Sequence, residues 1–168
     1  MDQPTVLWPT DLSKGSLKAA PQVMELARQR NARVVVLYVS VDLCSYFPAY
    51  GNFPSPERLQ EFQGWEMETA RAALEGICAT ELAGCPNLAV RLVTGNAAAQ
   101  ILKAAKDENA KLIVMTSRGQ SLDNREPGRA TGLGSVARQV LEQSSTPVQI
   151  VYPQGPQQGA ANGLESAP

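Results

Sequence analysis

Apolar positions along the chain fall into two alternating spacings. Five short runs, Thr5 to Pro9, Val34 to Ser40, Leu88 to Thr94, Lys111 to Thr116 and Pro147 to Tyr152, are rich in Val, Ile or Leu and mostly continuous. Continuous apolar character is what a strand covered on both faces needs, so the runs predict a parallel sheet. Between them the apolar residues recur at helical spacing. Ser13 to Asn31 carries Leu17, Ala20, Met24 and Ala27, with Ser13 or Ser16 available as N-cap. Pro21 interrupts that pattern, because an interior proline costs about 3 kcal/mol; the helix either begins after Ser16 or kinks there. A second helix is signalled by Ser55 as cap, Pro56 at the first position, and Leu59, Phe62, Ala70, Leu74 and Ile77 behind them, ending near Gly84-Cys85-Pro86. Asn96 caps a third, and Ser135 to Gln143 forms a fourth.

The resulting order, β-α-β-α-β-α-β-α-β, predicts an α/β fold: an open, doubly wound parallel sheet with helices on both faces, since parallel crossovers are right-handed. Ligands of such sheets sit beyond the carboxyl ends of the strands, where strand order reverses, so the residues just after each strand matter most. The 168 residues, 43% of them apolar, suffice for one folded unit over residues 1–152. Residues 153–168 contain one Leu, one charge and repeated Gly, Pro and Gln, the composition of a disordered tail.

Composition then removes whole classes of chemistry. The chain has no His, which excludes Ser-His-Asp and Cys-His catalysis and His-ligated zinc. Fifteen basic against sixteen acidic residues leave a net charge of -1 with no basic cluster, which argues against nucleic-acid or membrane partners. Three cysteines without a CxxC argue against a disulfide framework and a Cys-only metal site, and the N-terminus carries no signal-like segment. A cytoplasmic protein is the expectation.

Leu112-Ile-Val-Met-Thr-Ser-Arg-Gly119, followed by a long polar loop and Gly132-Leu-Gly134-Ser135-Val136 at a helix start, is the most informative segment. Glycines let a phosphate approach the backbone, and a helix N-terminus favours an anion. Gly132, Gly134 and Ala137 spell G-x-G-x-x-A, but too far after the strand for a dinucleotide fingerprint, and there is no GxxxxGK[ST]. The plainer reading is that both glycines merely permit a tight helix start.

The pairing of Val6-Leu-Trp-Pro-Thr-Asp-Leu-Ser13 with the segment ending at Gly119, then Gly134-Ser135-Val136 and Thr146-Pro-Val-Gln-Ile-Val151, resembles the universal stress proteins, as does Gly95-Asn-Ala-Ala-Ala-Gln-Ile101. The resemblance covers residues 4 to 152 and implies the strand order 3-2-1-4-5. It also implies binding of an adenine nucleotide, ATP or else ADP or AMP, with or without magnesium. Its pattern G-x2-G-x9-G-[ST] places Gly119, Gly134 and Ser135 at the phosphates, Asp11 at the nucleoside and Val39 at the base; Met115 and Val136 complete the set. The sequence departs from that pattern at Leu122 and Thr116, where glycines are usual, and in a loop two residues longer. That loop brings Gly128 and Gly132 as flexible positions, with Arg118, Arg125 and Arg129 as phosphate partners or as a solvated face.

Asp11 also reads as a cap for the following helix through Leu12-Ser13. The aromatic segment Cys44 to Phe53 reads equally as a lid on an adenine or as apolar packing. The reading is a regulatory nucleotide-binding homodimer, paired through its last strand, Pro147 to Tyr152, and not an enzyme; the alternative is a nucleotide-free interaction protein on the same fold.

Overall fold

The computed structural model describes residues 3–43, 55–118 and 132–152. Five strands form one parallel sheet: β1 (Thr5–Pro9), β2 (Arg33–Ser40), β3 (Leu88–Thr94), β4 (Ala110–Thr116) and β5 (Val148–Val151), in the order β3-β2-β1-β4-β5. Leu7 at the centre pairs with Val35 on one side and Ile113 on the other. This is the architecture and the strand order expected from the sequence. The aromatic segment, Gly119, Leu122, the loop arginines Arg125 and Arg129, and the tail lie outside the described residues.

The helices fill both faces. On one side α2 (Ala20–Arg30) and α3 (Pro56–Thr80) cover Val6, Trp8, Val34, Val36 and Val114 with Val23, Ala27 and Leu74. On the other, α4 (Ala97–Asp107) and α5 (Ser135–Gln143) cover Leu7, Val35, Leu37, Ile113 and Met115 with Ile101, Ala105 and Val140. The continuous apolar runs follow from this arrangement, because successive side chains point into two different cores. Trp8 is fully buried, and its indole N–H has no hydrogen-bond partner among the described residues. An unsatisfied donor costs about 1–3 kcal/mol. Burying the ring stabilises by about 4–6 kcal/mol at ~25 cal/mol per Å2 over roughly 150–250 Å2, so packing wins.

Pro21 divides the first helical segment in two. The chain forms a short α1 (Lys14–Leu17) and restarts as α2, with Pro21 in its first turn, where a missing N–H leaves no bond unmade. Ser13 is the cap of α1, its Oγ accepting from Ser16 N at 3.1 Å. Asn31 ends α2 in the left-handed region at φ 46°. Ser55 and Asn96 cap α3 and α4 as the sequence indicated.

α3 departs from its reading. Its helical spacing placed Phe62 with the core residues, but Phe62 is 52% and Trp65 61% exposed, their rings 5.8 Å apart on the outer side. Only Leu59, Ala70 and Leu74 of this 25-residue helix are buried. Leu74→Ala should therefore cost about 2–5 kcal/mol through cavity formation, whereas Trp65→Ala should stay within about 0.5 kcal/mol. Urea midpoints of the two variants check this; equal losses would show that the outer aromatics are docked.

Candidate functional site

The chain leaves β1 toward β2 on one side and enters β4 on the other, so the connections after β1 and β4 diverge and leave a crevice. On the β1 side the ladder runs one residue beyond the strand, through Thr10 N donating to Leu37 O at 2.9 Å. Thr10 Oγ1 lies 2.8 Å from Ser16 Oγ and accepts from Leu12 N at 3.1 Å. This network holds Leu12 at φ 64°, a left-handed conformation costing about 1–2 kcal/mol for a residue with a Cβ. Asp11 Oδ1 accepts from Ser13 N at 3.0 Å and Ser13 Oγ at 2.6 Å. Asp11 thus braces the turn from behind, while Ser13 is the cap.

The β4 side is knitted by backbone. Ser117 N donates to Val151 O at 3.0 Å and Ser117 O accepts from Gly134 N at 2.8 Å, so the end of β4 meets the start of α5 directly. Thr116 Oγ1 donates to Arg118 O, and Arg118 Nε donates to Gly132 O, both at 2.9 Å. A Cβ on Gly134 would lie 3.3 Å from Ser117 O. A side chain here would crowd the β4 exit, so the position faces the protein's own backbone.

Gly134 caps α5 without any side-chain hydrogen bond, and the first turn holds no acidic residue. The first intrahelical bond begins at Arg138 N, which donates to Gly134 O. The amides of Ser135, Val136 and Ala137 therefore have no partner within the helix and carry the positive end of its dipole.

These elements enclose a cleft of about 230 Å3. Leu37, Val39, Ile101, Met115 and Val136 give it an apolar bed; Thr10, Ser16, Thr116, Ser117 and Ser135 bring hydroxyls; Asp11 and Arg118 bring the charges. Of the residues singled out in the sequence, Asp11, Val39, Met115, Gly134, Ser135 and Val136 meet here, and Gly119 falls outside the described residues. The Thr10–Ser16 hydroxyl pair, Leu37 and Ile101 were missed. Thr10 follows its strand directly and carried the signal; Ile101 is set by helix packing and carried none. Among the described residues no group of three His, Cys, Asp or Glu is placed to hold a metal, and no helix is long and apolar enough to cross a membrane.

A second polar cluster fixes the end of β2 from the opposite face. Glu66 of α3 accepts from Tyr38 Oη at 2.7 Å and Ser40 Oγ at 3.0 Å. Burial first, then the Glu66 hydrogen bond and charge, with Asp11's charge adding, push the Tyr38 phenol well above its usual 10.0. Since the folded value is raised, the contribution of neutral Tyr38 to stability is complete below pH 10 and is lost as pH rises toward the folded value. Urea midpoints should fall above pH 10 in the native protein and fall less steeply in Tyr38→Phe; identical slopes would contradict the coupling.

Comparison with known proteins agrees with this fold. The model of the universal stress protein family matches residues 4–152. A universal stress protein of Methanocaldococcus jannaschii is 29% identical over 148 residues, covering 87% of this chain and 80% of that protein. The structure of universal stress protein UspA from Lactobacillus plantarum superposes with a TM-score of 0.71 at 22% identity, covering 90% of this chain and 99% of that one. A universal stress protein from Archaeoglobus fulgidus, solved in complex with dAMP, gives a TM-score of 0.53 at 22% identity, with 89% and 97% coverage. With the family match spanning the described sheet from end to end, the chain belongs to the universal stress protein family.

Proposed function

We propose that the cleft binds an adenine nucleotide and that the protein acts as a nucleotide-responsive regulatory module, not as a catalyst. The observation that carries this reading is the uncapped first turn of α5 opening onto an apolar bed at the point where strand order reverses. The three first-turn amides and the dipole suit a phosphate. Leu37, Val39, Ile101 and Met115 suit the faces of a purine, and the Asp11 carboxylate, an acceptor only, suits ribose hydroxyls. The dAMP complex of the Archaeoglobus relative supports the same ligand class. ATP, ADP and AMP are the ligands to compare, with and without magnesium. With no His in the chain, general acid–base catalysis lacks its commonest agent.

Thr116 favours the second reading, a nucleotide-free interaction protein. It places a side chain at the cleft wall where the family resemblance led to a glycine. Its hydroxyl, however, is engaged by the Arg118 carbonyl. Isothermal titration with adenine nucleotides should give saturable heat that weakens in Val39→Trp, which fills the bed. No heat at millimolar concentration would move the assignment to the interaction protein.

The same reading includes a homodimer. Among the described residues β5 has a sheet neighbour on one side only, and its outer edge suits antiparallel pairing with a second copy. Tyr152, 61% exposed just after it, would gain cover there. Light scattering at micromolar concentration should report about twice 18.0 kDa; a mass near 18.0 kDa would rule the pairing out.

A further inference from the structure

We propose that the outer face of α3 is a docking seam for an amphipathic helix with basic flanks, carried by another protein. Phe62, Thr69 and Gly76 stand seven residues apart, and so do Trp65, Ala72 and Ala79 between them. Interleaved, they follow the alternating three- and four-residue steps of the contact seam between two coiled helices. All six are exposed, while Leu59, Ala70 and Leu74 are buried on the other side of the helix. The heptad pattern therefore serves nothing inside the fold.

The seam is made to be covered. No charge interrupts it, and Phe62 and Trp65, their rings 5.8 Å apart, stand up at its N-terminal end. Thr69 carries the one hydroxyl among the six and already donates it to Trp65 O at 2.9 Å, so covering it strands no donor. A Cβ on Gly76 would meet nothing within 4 Å among the described residues. The fold itself therefore has no use for a glycine at a position where alanine would favour the helix. Between Ala72 and Ala79, Gly76 leaves low ground for the larger side chains of an incoming helix.

The flank selects the partner by charge. The residue before each of Phe62, Thr69 and Gly76 is a glutamate, Glu61, Glu68 and Glu75, and all three are exposed. Arg71 is the one cation from residue 61 to residue 80. Flanking charges of paired helices meet across their seam, so the occupant that fits brings Lys or Arg. A second copy of this chain brings neither. Antiparallel, its glutamate row would face this one; parallel, the row would face the other copy's Glu66, Ala73 and Thr80. An anionic bilayer would be repelled by the same row. The helix packs on β2 and β3, across the sheet from β5, so the seam stays open when the β5 edge is paired. Its length of about 27 Å, at 1.5 Å per residue, makes a small interface of the transient kind, for which micromolar affinity is expected.

Fluorescence anisotropy of the full chain with a labelled three-heptad peptide, Leu at its seam positions and Lys at both flanks, tests the proposal beside a twin peptide carrying Glu for Lys. The Lys peptide should bind with micromolar affinity, at least tenfold more tightly than its twin. Trp65→Ala should weaken it about tenfold with the urea midpoint unchanged. Combining Glu61→Lys, Glu68→Lys and Glu75→Lys should invert the preference, whereas Glu25→Lys with Glu142→Lys, exposed on α2 and α5, should leave it standing. No binding at submillimolar concentration, equal binding of the twins, or an inversion that the distant pair reproduces would overturn the seam. Light scattering in which Trp65→Ala dissociates an oligomer of the chain would give the face to a second copy, and Trp65-dependent binding to phosphatidylserine vesicles would give it to a membrane; either result overturns the proposal.

Discussion

The central position of β1 governs the rest of the molecule. It pairs with β2 on one edge and β4 on the other, so the chain must leave it in one direction and return to its far side later. That reversal separates the β1–α1 turn from the β4–α5 connection and leaves a crevice floored by Leu37, Ile101 and Met115 of the second core. Both cores depend on the same strand. Leu7 and the pair Val6 and Trp8 point to opposite faces, and each is 2% exposed or less. A shift of β1 by one residue would exchange the two sets and empty both cores.

Polar bonding around the crevice is rigid where it serves the fold and open where it faces the cleft. On the β1 side, Thr10, Asp11, Ser13 and Ser16 satisfy one another and stabilise a left-handed Leu12. On the β4 side, Ser117 is bonded through both its N–H and its carbonyl. Against these satisfied turns stands the first turn of α5, whose cap residue, Gly134, offers it no side-chain hydrogen bond. A cap there would be worth about 1 kcal/mol. Giving it up leaves the positive end of a helix directed at the cleft, and this contrast is the physical basis of the ligand reading.

The strands were legible because burial on both faces writes itself as continuous apolar runs; β1 and β3 have the bounds their runs suggested, and β5 is trimmed to Val148–Val151. Ser55, Pro56 and Asn96 marked helix starts by local chemistry alone. Strand order was different: it came from resemblance, because no run of apolar residues says which neighbour it takes. Pro21 showed that something must break near Ser16, and the answer, a short α1 and a new helix, needed the Thr10–Ser16 contact to be seen. The Glu66 clamp on Tyr38 and Ser40 joins residues 28 and 26 positions apart, a distance over which sequence pattern carries no signal. Gly134 was read as facing a phosphate; a Cβ there would also press on the Ser117 carbonyl. A ligand role for the position passes through the amides that follow it.

The central claim is that the first turn of α5 is an anion site at the mouth of an apolar cleft. Amide chemical-shift mapping of the isotopically labelled protein during titration with AMP tests it residue by residue. The account predicts saturable shifts at Ser135, Val136 and Ala137, accompanied by Val39 and Ile101, with β3 unaffected. Saturable shifts confined to other surfaces, with the α5 amides unmoved, would contradict it.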